Sequence, residues 1–236
     1  DKVSFLTDPS GMQSACAGVV NGKFYLTSHA QLVADVLGLK MMPFIEELIH
    51  YKWYGRVMGP YLPTDLTPFS ELKRVVPNTT YTFTDKSICH KRFYPLDELK
   101  QVQDEKEYDE VICEAAKILK NGMTLVSEKW ERPWISLTGG IDSNTTFAAA
   151  NGIYDRFNTF SYLSADKESI DCEAAKKISA EFNVPWECYH IPTDAAALAD
   201  YEIKRDIILH NNAYIAQTPE NEIRKRIYLA DHLPAD

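Results

Sequence analysis

The sequence predicts an α/β protein with a parallel sheet, preceded by a β-rich segment. Two observations support this. Beyond residue 104, short apolar strands alternate with helical patterns, which is typical of parallel strands joined by crossover helices. Before residue 41, short apolar runs are separated by turn residues, which is typical of hairpins. We therefore predict a β-rich domain part at 1–40, a connector at 41–104 and an α/β domain part at 105–236.

The β-rich part is predicted to contain three strands and a helix. The first strand, 3–7, precedes the turn sequence Asp8-Pro9-Ser10-Gly11. Two more strands, 15–20 and 23–27, flank Asn21-Gly22, the strongest short signal for a hairpin. Hydrophobic spacing then indicates a helix with Ser28 as its N-cap and Gly38 as its end.

The connector begins with a second predicted helix, 43–54, for which Gly55 is a plausible stop. The stretch 59–95 is rich in Pro, Thr and Tyr, and only 81–84 has a strand pattern. We expect it to be a connecting and edge region that forms no hydrophobic core.

The α/β part opens with an amphipathic pattern, in which apolar residues recur three and four positions apart. The residues of this stripe are Tyr108, Val111, Ile112, Ala115, Ile118 and Leu119. Strands and helices then alternate along the rest of the part. The predicted strands are 134–137, 157–163 and 186–191, and the predicted helices start at 145, 169 and 194.

Composition narrows the possible partners. With 25 Lys+Arg against 34 Asp+Glu the formal charge is −9, which argues against nucleic acid as a partner. No run approaches the ~20 apolar residues that cross a bilayer, so we expect no membrane partner. The five cysteines include no Cys-x-x-Cys pair and fit no zinc site. They favour reduced thiols and a cytoplasmic protein.

The segment 135–144 carries the chemistry. It reads Ile-Ser-Leu-Thr-Gly-Gly-Ile-Asp-Ser-Asn, so that an apolar strand runs through two glycines into the start of a helix. Glycines allow backbone N–H groups to approach a ligand, and a helix N-terminus attracts anions, so the segment predicts a phosphate site. Because the carboxylate of Asp142 repels an anion unless a divalent cation lies between them, Asp142 is a candidate magnesium ligand.

An ordinary strand-to-helix turn capped by Asp142 or Ser143 is the simpler interpretation. Small polar residues crowd the carboxyl end of a parallel strand here, and this favours a ligand site. The segment is not a Walker A loop, because no Lys follows the glycines, and it contains no Gly-x-Ser-x-Gly elbow.

This segment resembles the Ser-Gly-Gly-x-Asp-Ser loop of the N-type ATP pyrophosphatases, and its flanks narrow the resemblance to the asparagine synthetase family. The strand ends in Leu137, as in that family. Further similarities cover most of the chain: Asp8-Pro9-Ser10-Gly11, Thr67–Pro77, Asp171-Cys-Glu-Ala-Ala175 and Glu187–Ile191. Only the loop is sharply specific.

The resemblance implies an adenine nucleotide alpha hydrolase-like (PP-loop) domain, preceded by the remnant of an Ntn-type glutaminase domain. It implies ATP and Mg²⁺ as cofactors, with Asp142 holding the metal. The backbone of Leu137 and of Tyr162 would lie beside adenine. The residues implied to bind pyrophosphate are Thr138, Gly139, Gly140, Ser143 and Asn144. No catalytic residue is identified.

The implied reaction activates a carboxylate, by default that of aspartate, as an acyl-adenylate that ammonia or glutamine nitrogen then converts to an amide. A homodimer or a partner chain is a further expectation, which the sequence does not specify. Thr138 replaces the family's usual Ser and keeps the hydroxyl, and Asn144 stands where a second Ser is common. We expect a fragment, because the N-terminal Cys nucleophile and the later Ser-Gly-Glu-Gly-x-Asp-Glu segment of the family are both absent.

Three alternatives stay open: a related enzyme for another carboxylate, such as a sugar acid or a peptide, a noncatalytic nucleotide-binding or assembly module, and a thiolation enzyme, which usually shows paired cysteines. Two groups of charged residues outside the loop have interpretations that are simpler than ligand binding. Glu168, Asp171 and Glu173 are candidate acidic ligands, but charged residues early in a helix usually complement its dipole. Arg-Lys-Arg at 224–226 is a candidate phosphate contact, for which a solvated helix face is the simpler interpretation.

Overall fold

The computed structural model describes residues 2–57, 59, 61–85, 87–95, 98, 100–164, 169–213 and 218–234. The chain divides into two compact units. The first comprises Asp1–Lys100 with Glu202–Pro219, and the second comprises Gln101–Tyr201 with Glu220–Asp236. Among these residues, no helix combines the length and the apolar composition needed to cross a bilayer.

The first unit contains two antiparallel three-stranded sheets. One has the strand order β1-β5-β6 and the other has the order β3-β2-β4. Their bounds are β1 Lys2–Phe5, β2 Cys16–Val20, β3 Lys23–Thr27, β4 Leu72–Arg74, β5 Thr79–Thr84 and β6 Ser87–Arg92.

The predicted hairpin is confirmed, with Val20 paired to Lys23. Asn21 and Gly22 between them both have positive φ, 49° and 74°. Two successive left-handed residues are what a two-residue hairpin turn requires, and Asn and Gly accept that conformation most readily.

Three helices follow in this unit: α1 Ala30–Leu37, α2 Pro43–His50 and α3 Tyr54–Val57. Helix α1 ends at Gly38, whose φ of 66° is left-handed, as predicted. The predicted Ser28 cap is wrong, because the cap position is His29 and no side chain bonds the first turn there. The single helix predicted for 43–54 is also wrong, since α2 stops at His50 and α3 is a separate short turn.

The prediction that 59–95 forms no hydrophobic core is wrong. Phe69, Leu72, Val75 and Tyr81 are buried, and β5 is the central strand of its sheet. The polar composition of this stretch is compatible with burial because its polar groups find hydrogen-bond partners nearby in the sequence. Buried Thr67, for instance, donates its hydroxyl to the carbonyls of Phe69 and Leu72 at 2.9 and 2.8 Å.

The second unit is built on a parallel three-stranded sheet of order β7-β8-β9, as predicted. Its strands are β7 Trp134–Ser136, β8 Asn158–Ser164 and β9 Trp186–Ile191. The helices are α4 Glu105–Lys129, α5 Ile141–Ala149, α6 Ile170–Glu181 and α8 Glu220–His232. Helix α7, Tyr201–Asn211, begins where the chain passes back to the first unit.

The helix predicted to start at 194 is wrong in its first part. A 3-10 turn at Ala195–Ala197 comes first, and α7 starts only at Tyr201. Asp194 accepts a hydrogen bond from the N–H of Ala196, and Asp200 adopts a left-handed φ of 54°, so two local structures interrupt the helical pattern.

Helix α4 confirms the predicted amphipathic helix but not the burial that its pattern suggests. The stripe residues are exposed, for example Ile118 at 64% and Tyr108 at 55%. The helix instead packs near its C-terminal end, where Met123 and Val126 contact the core of the second unit. That core consists of residues from the sheet, α5 and α6: Ile135, Leu137, Phe147, Ala150, Phe157, Ala175 and Val184.

Candidate phosphate-binding loop

The loop starts from a fixed point at the carboxyl end of β7. Leu137 is fully buried, and its N–H donates to the carbonyl of Phe160 at 2.8 Å. Its own carbonyl accepts from the hydroxyl of Ser161 at 2.7 Å. The strand therefore stays joined to β8 through Leu137, and the chain leaves the sheet only at Thr138.

Two hydroxyls brace the loop from inside. The Oγ1 atom of Thr138 and the Oγ atom of Ser143 lie 2.8 Å apart, and the N–H of Thr138 donates to Ser143 Oγ at 3.1 Å. The N–H of Gly140 donates to Thr138 Oγ1 at 3.0 Å. The hydroxyl shared by Ser and Thr is thus the group that the loop uses at position 138, which explains why Thr fits there.

The amide of Asn144 also supports the loop. Its Nδ2 atom donates to the carbonyls of Thr138 and Gly140, at 3.2 and 2.8 Å. Both donor positions of this amide thereby point to the backbone of the loop. In this structure Asn144 fixes the position of the two carbonyls, and its predicted contact with phosphate stays a prediction.

The N-terminus of α5 is open toward solvent. Gly140 occupies the cap position, no side chain caps the helix, and Gly139 and Gly140 are both exposed. The first N–H groups of a helix have no partner inside it, and the helix dipole adds partial positive charge at this end. The N–H groups at the start of α5 are therefore the backbone donors suited to an anion.

Glycine at position 139 avoids a tight contact with α6. A Cβ atom built at this position would lie 3.0 Å from Asp171 Oδ1 and 3.4 Å from Ala174 Cβ. The reason for a glycine here is therefore lack of space beside α6, with no left-handed φ involved.

Asp171 contacts the loop directly. Its Oδ1 atom accepts a hydrogen bond from the N–H of Gly139 at 3.1 Å. The sequence allows two interpretations of this carboxylate, an acidic ligand or a complement to the dipole of α6, and favours the second. The signal in the sequence for this contact is the position of Asp171 in the first turn of the helix that follows β8. The carboxyl ends of parallel strands share one edge of the sheet, so this turn lies near the loop after β7. Glu168, grouped with it in the sequence, lies outside the described residues.

Asp142 lies in the first turn of α5 with its side chain exposed. One or two carboxylates together with phosphate oxygens are a usual set of ligands for Mg²⁺, and an exposed Asp142 beside the loop fits that set. Within the described residues, no group of three or more His, Cys, Asp or Glu side chains could hold a metal by itself. The magnesium role of Asp142 stays a prediction.

Tyr162, near the end of β8, has an unexpected neighbour. Lys225 Nζ lies 3.4 Å from the Tyr162 hydroxyl and 4.9 Å from the ring centroid, and it pairs with Glu222 at 2.6 Å. Burial alone would lower the pKa of Lys225, but the hydrogen bonds with Glu222 and Tyr162 outweigh it and raise that pKa. The interpretation of this residue as part of a solvated helix face is wrong, because its side chain is only 18% exposed.

No protein-family model and no curated protein matches this chain. Among solved structures, the chain is similar to a glutamine-dependent NAD+ synthetase from Acinetobacter baumannii, determined in complex with ADP. The two share 15% identity at a TM-score of 0.36, and the match covers 69% of this chain and 28% of that chain. A TM-score this low establishes no common fold.

Proposed function

We propose that the loop 138–144 binds the β- and γ-phosphates of ATP, and that the chain belongs to an ATP-dependent, amide-forming ligase. The observation that carries the proposal is the open N-terminus of α5. It lies behind two exposed glycines at the carboxyl edge of a parallel sheet. Ligands of open α/β sheets bind at this edge, and helix N-termini bind phosphates.

In this proposal each loop residue has a defined task. The N–H groups at the start of α5 bind the pyrophosphate part, while the hydroxyls of Thr138 and Ser143 and the amide of Asn144 keep the backbone in place. Magnesium held at Asp142 would supply positive charge against the phosphates. Alignment and charge neutralisation of this kind provide most of the catalysis in phosphoryl chemistry.

The nucleoside part is proposed to lie at the ends of β7 and β8, beside the backbone of Leu137 and Tyr162. These two strands are adjacent and parallel, so their carboxyl ends lie at one edge. The domain would then be of the PP-loop type, and the reaction would release pyrophosphate while a substrate carboxylate becomes an acyl-adenylate.

By the resemblance of the loop and its flanks to the asparagine synthetase family, we propose aspartate as the default carboxylate and ammonia or glutamine as the nitrogen source. A cytoplasmic location and a homodimer or partner chain belong to the same proposal. The alternatives are an enzyme for another carboxylate, such as a sugar acid or a peptide, and a noncatalytic nucleotide-binding module.

The binding step is tested by calorimetric titration of the chain with ATP and with inorganic pyrophosphate, with and without Mg²⁺. Gly139→Ala places a Cβ atom 3.4 Å from the Cβ atom of Ala174 and 3.0 Å from Asp171 Oδ1, so the loop must move away from α6 by a few tenths of an ångström, and we expect ATP to bind more weakly. Gly122→Ala is the matched control, because Gly122 is exposed on α4 with open space around its Cβ position. Equal affinities for ATP in both variants would refute the loop as the site.

The reaction is tested by pyrophosphate release from ATP and Mg²⁺ in the presence of candidate carboxylates. Release that requires aspartate supports the asparagine assignment. Release with another acid and none with aspartate supports the related-enzyme alternative. Binding of ATP without release under any of these conditions supports the noncatalytic module.

A further inference from the structure

The carboxylate of Asp171 occupies a donor that an anion would use. Gly139 is exposed in the loop, and its N–H is directed to Asp171 Oδ1 at 3.1 Å. The loop N–H groups of Thr138 and Gly140 are bonded within the loop itself. Gly139 is therefore the position at which a charged side chain from outside the loop accepts a hydrogen bond from the loop backbone.

The position of Asp171 is determined by the packing of α6. Ser169 caps this helix and accepts a hydrogen bond from the Asp171 N–H at 3.2 Å. The next inward residues, Cys172 and Ala175, are 7% and 0% exposed. The first turn of α6 is capped and its inward side chains are buried, so the backbone that carries the Asp171 carboxylate is held in place beside the loop.

One N–H group shared between a carboxylate and a phosphate oxygen binds each of them more weakly, and two anions close together repel each other. We propose that Asp171 is a positioning residue that occupies the Gly139 N–H while the loop holds no phosphate, and that it must release this donor when pyrophosphate binds. This inference rests on the proposed function, since it assigns a task to a neighbour of the same loop.

The proposal predicts a gain in affinity from loss of a charge. Asp171→Asn keeps the size of the side chain and an oxygen that can accept from Gly139, but it removes the repulsion. For an exposed carboxylate at this range we expect Mg²⁺-free pyrophosphate to bind about three- to tenfold more tightly. The gain should shrink at high ionic strength, where exposed charges are screened, and in Mg²⁺, which neutralises part of the ligand charge.

Glu173→Gln is the matched control. Glu173 lies in the same first turn of α6, is also exposed and changes the net charge equally when it is replaced. No hydrogen bond from the loop to its carboxylate is found among the described residues. A general effect of charge on α6 would therefore appear in both variants, whereas loss of the charge that bonds Gly139 appears in Asp171→Asn alone.

The test is calorimetric titration of the wild-type chain and both variants with inorganic pyrophosphate, at low and high salt, with and without Mg²⁺. Tighter, salt-sensitive binding in Asp171→Asn alone supports the inference. If the wild type binds and Asp171→Asn binds equally or more weakly, the inference is overturned while the proposed function stands. If none of the three chains binds pyrophosphate or ATP, both are overturned.

Hydrogen exchange tests the contact without any ligand. Asp171→Ala should accelerate exchange of the Gly139 amide, because it removes the acceptor, and Glu173→Ala should not. An unchanged exchange rate at Gly139 in Asp171→Ala would overturn the inference whatever the titrations show.

Discussion

Ser161 completes the hydrogen bonding at the point where β7 leaves the sheet, and its replacement by alanine tests how the loop is supported. The residue is 1% exposed. Its Oγ atom donates to the carbonyl of Leu137 at 2.7 Å and accepts from Nε1 of Trp186 at 2.9 Å. The side chain thus joins all three strands at the base of the loop.

Ser161→Ala removes both hydrogen bonds and leaves the Leu137 carbonyl without this partner. Each hydrogen bond contributes about 1 kcal/mol net, and a buried polar group left unpaired costs about 1–3 kcal/mol. Trp186 is only half-buried, so water can replace the bond to its Nε1 atom. We therefore expect the second unit to lose about 2–3 kcal/mol of its free energy of unfolding.

The assay is urea unfolding followed by tryptophan fluorescence, since Trp134 and Trp186 both lie in strands of this sheet. Ser136→Ala is the control, because Ser136 is exposed on the neighbouring strand and its replacement should change the free energy by less than about 0.5 kcal/mol. Equal stabilities of the two variants would refute the view that Ser161 supports the base of the loop.

Three further predictions concern the loop hydroxyl at Thr138, the burial of Phe157 and the carboxylate of Asp8. Thr138→Ser should leave pyrophosphate affinity within about twofold, while Thr138→Val should weaken it at least about tenfold, a difference near 1.4 kcal/mol, because Val lacks the hydroxyl that bonds Ser143 Oγ and the N–H of Gly140. In chemical denaturation, Phe157→Ala should cost about 3–5 kcal/mol and Ile118→Ala less than about 0.5 kcal/mol, since the first is 1% exposed and the second 64%. Hydrogen bonds from Ser10, Gln13 and Met12 lower the pKa of Asp8, so its ionised form stabilises the first unit above the unfolded pKa of about 3.9. That contribution is lost as the pH falls through the lower folded pKa, and pH titration of stability should show it missing in Asp8→Asn.

The elements that the sequence predicted correctly are those with local causes. The hairpin at Asn21-Gly22 and the end of α1 at Gly38 depend on backbone conformations that few residues adopt. The parallel strands were predicted from their alternation with helices, and the strand-to-helix loop from its glycines and small polar residues. The turn, helix-end and loop signals lie within a few residues of the features they predict, and the alternation of strands and helices lies within one continuous segment.

Several of the predictions that failed depend on partners elsewhere in the chain. The polar stretch 59–95 belongs to a core because its strands pair with β1 and β2. The segment 202–219 joins the first unit, where His210 Nε2 lies 2.8 Å from Asp35 Oδ2, and nothing in its own pattern indicates this. Conversely, the stripe of α4 is amphipathic, and the structure leaves it exposed.

The sequence by itself determined the phosphate-loop candidate, because the donors of such a site are consecutive backbone groups between a strand and a helix. Only the tertiary structure decided what surrounds the loop. Asp171 bonds Gly139 across 32 positions, Ser161 bonds Leu137 across 24, and Lys225 reaches Tyr162 across 63. Contacts over such separations depend on how strands and helices pack, since the chain must first close those loops before the side chains can meet.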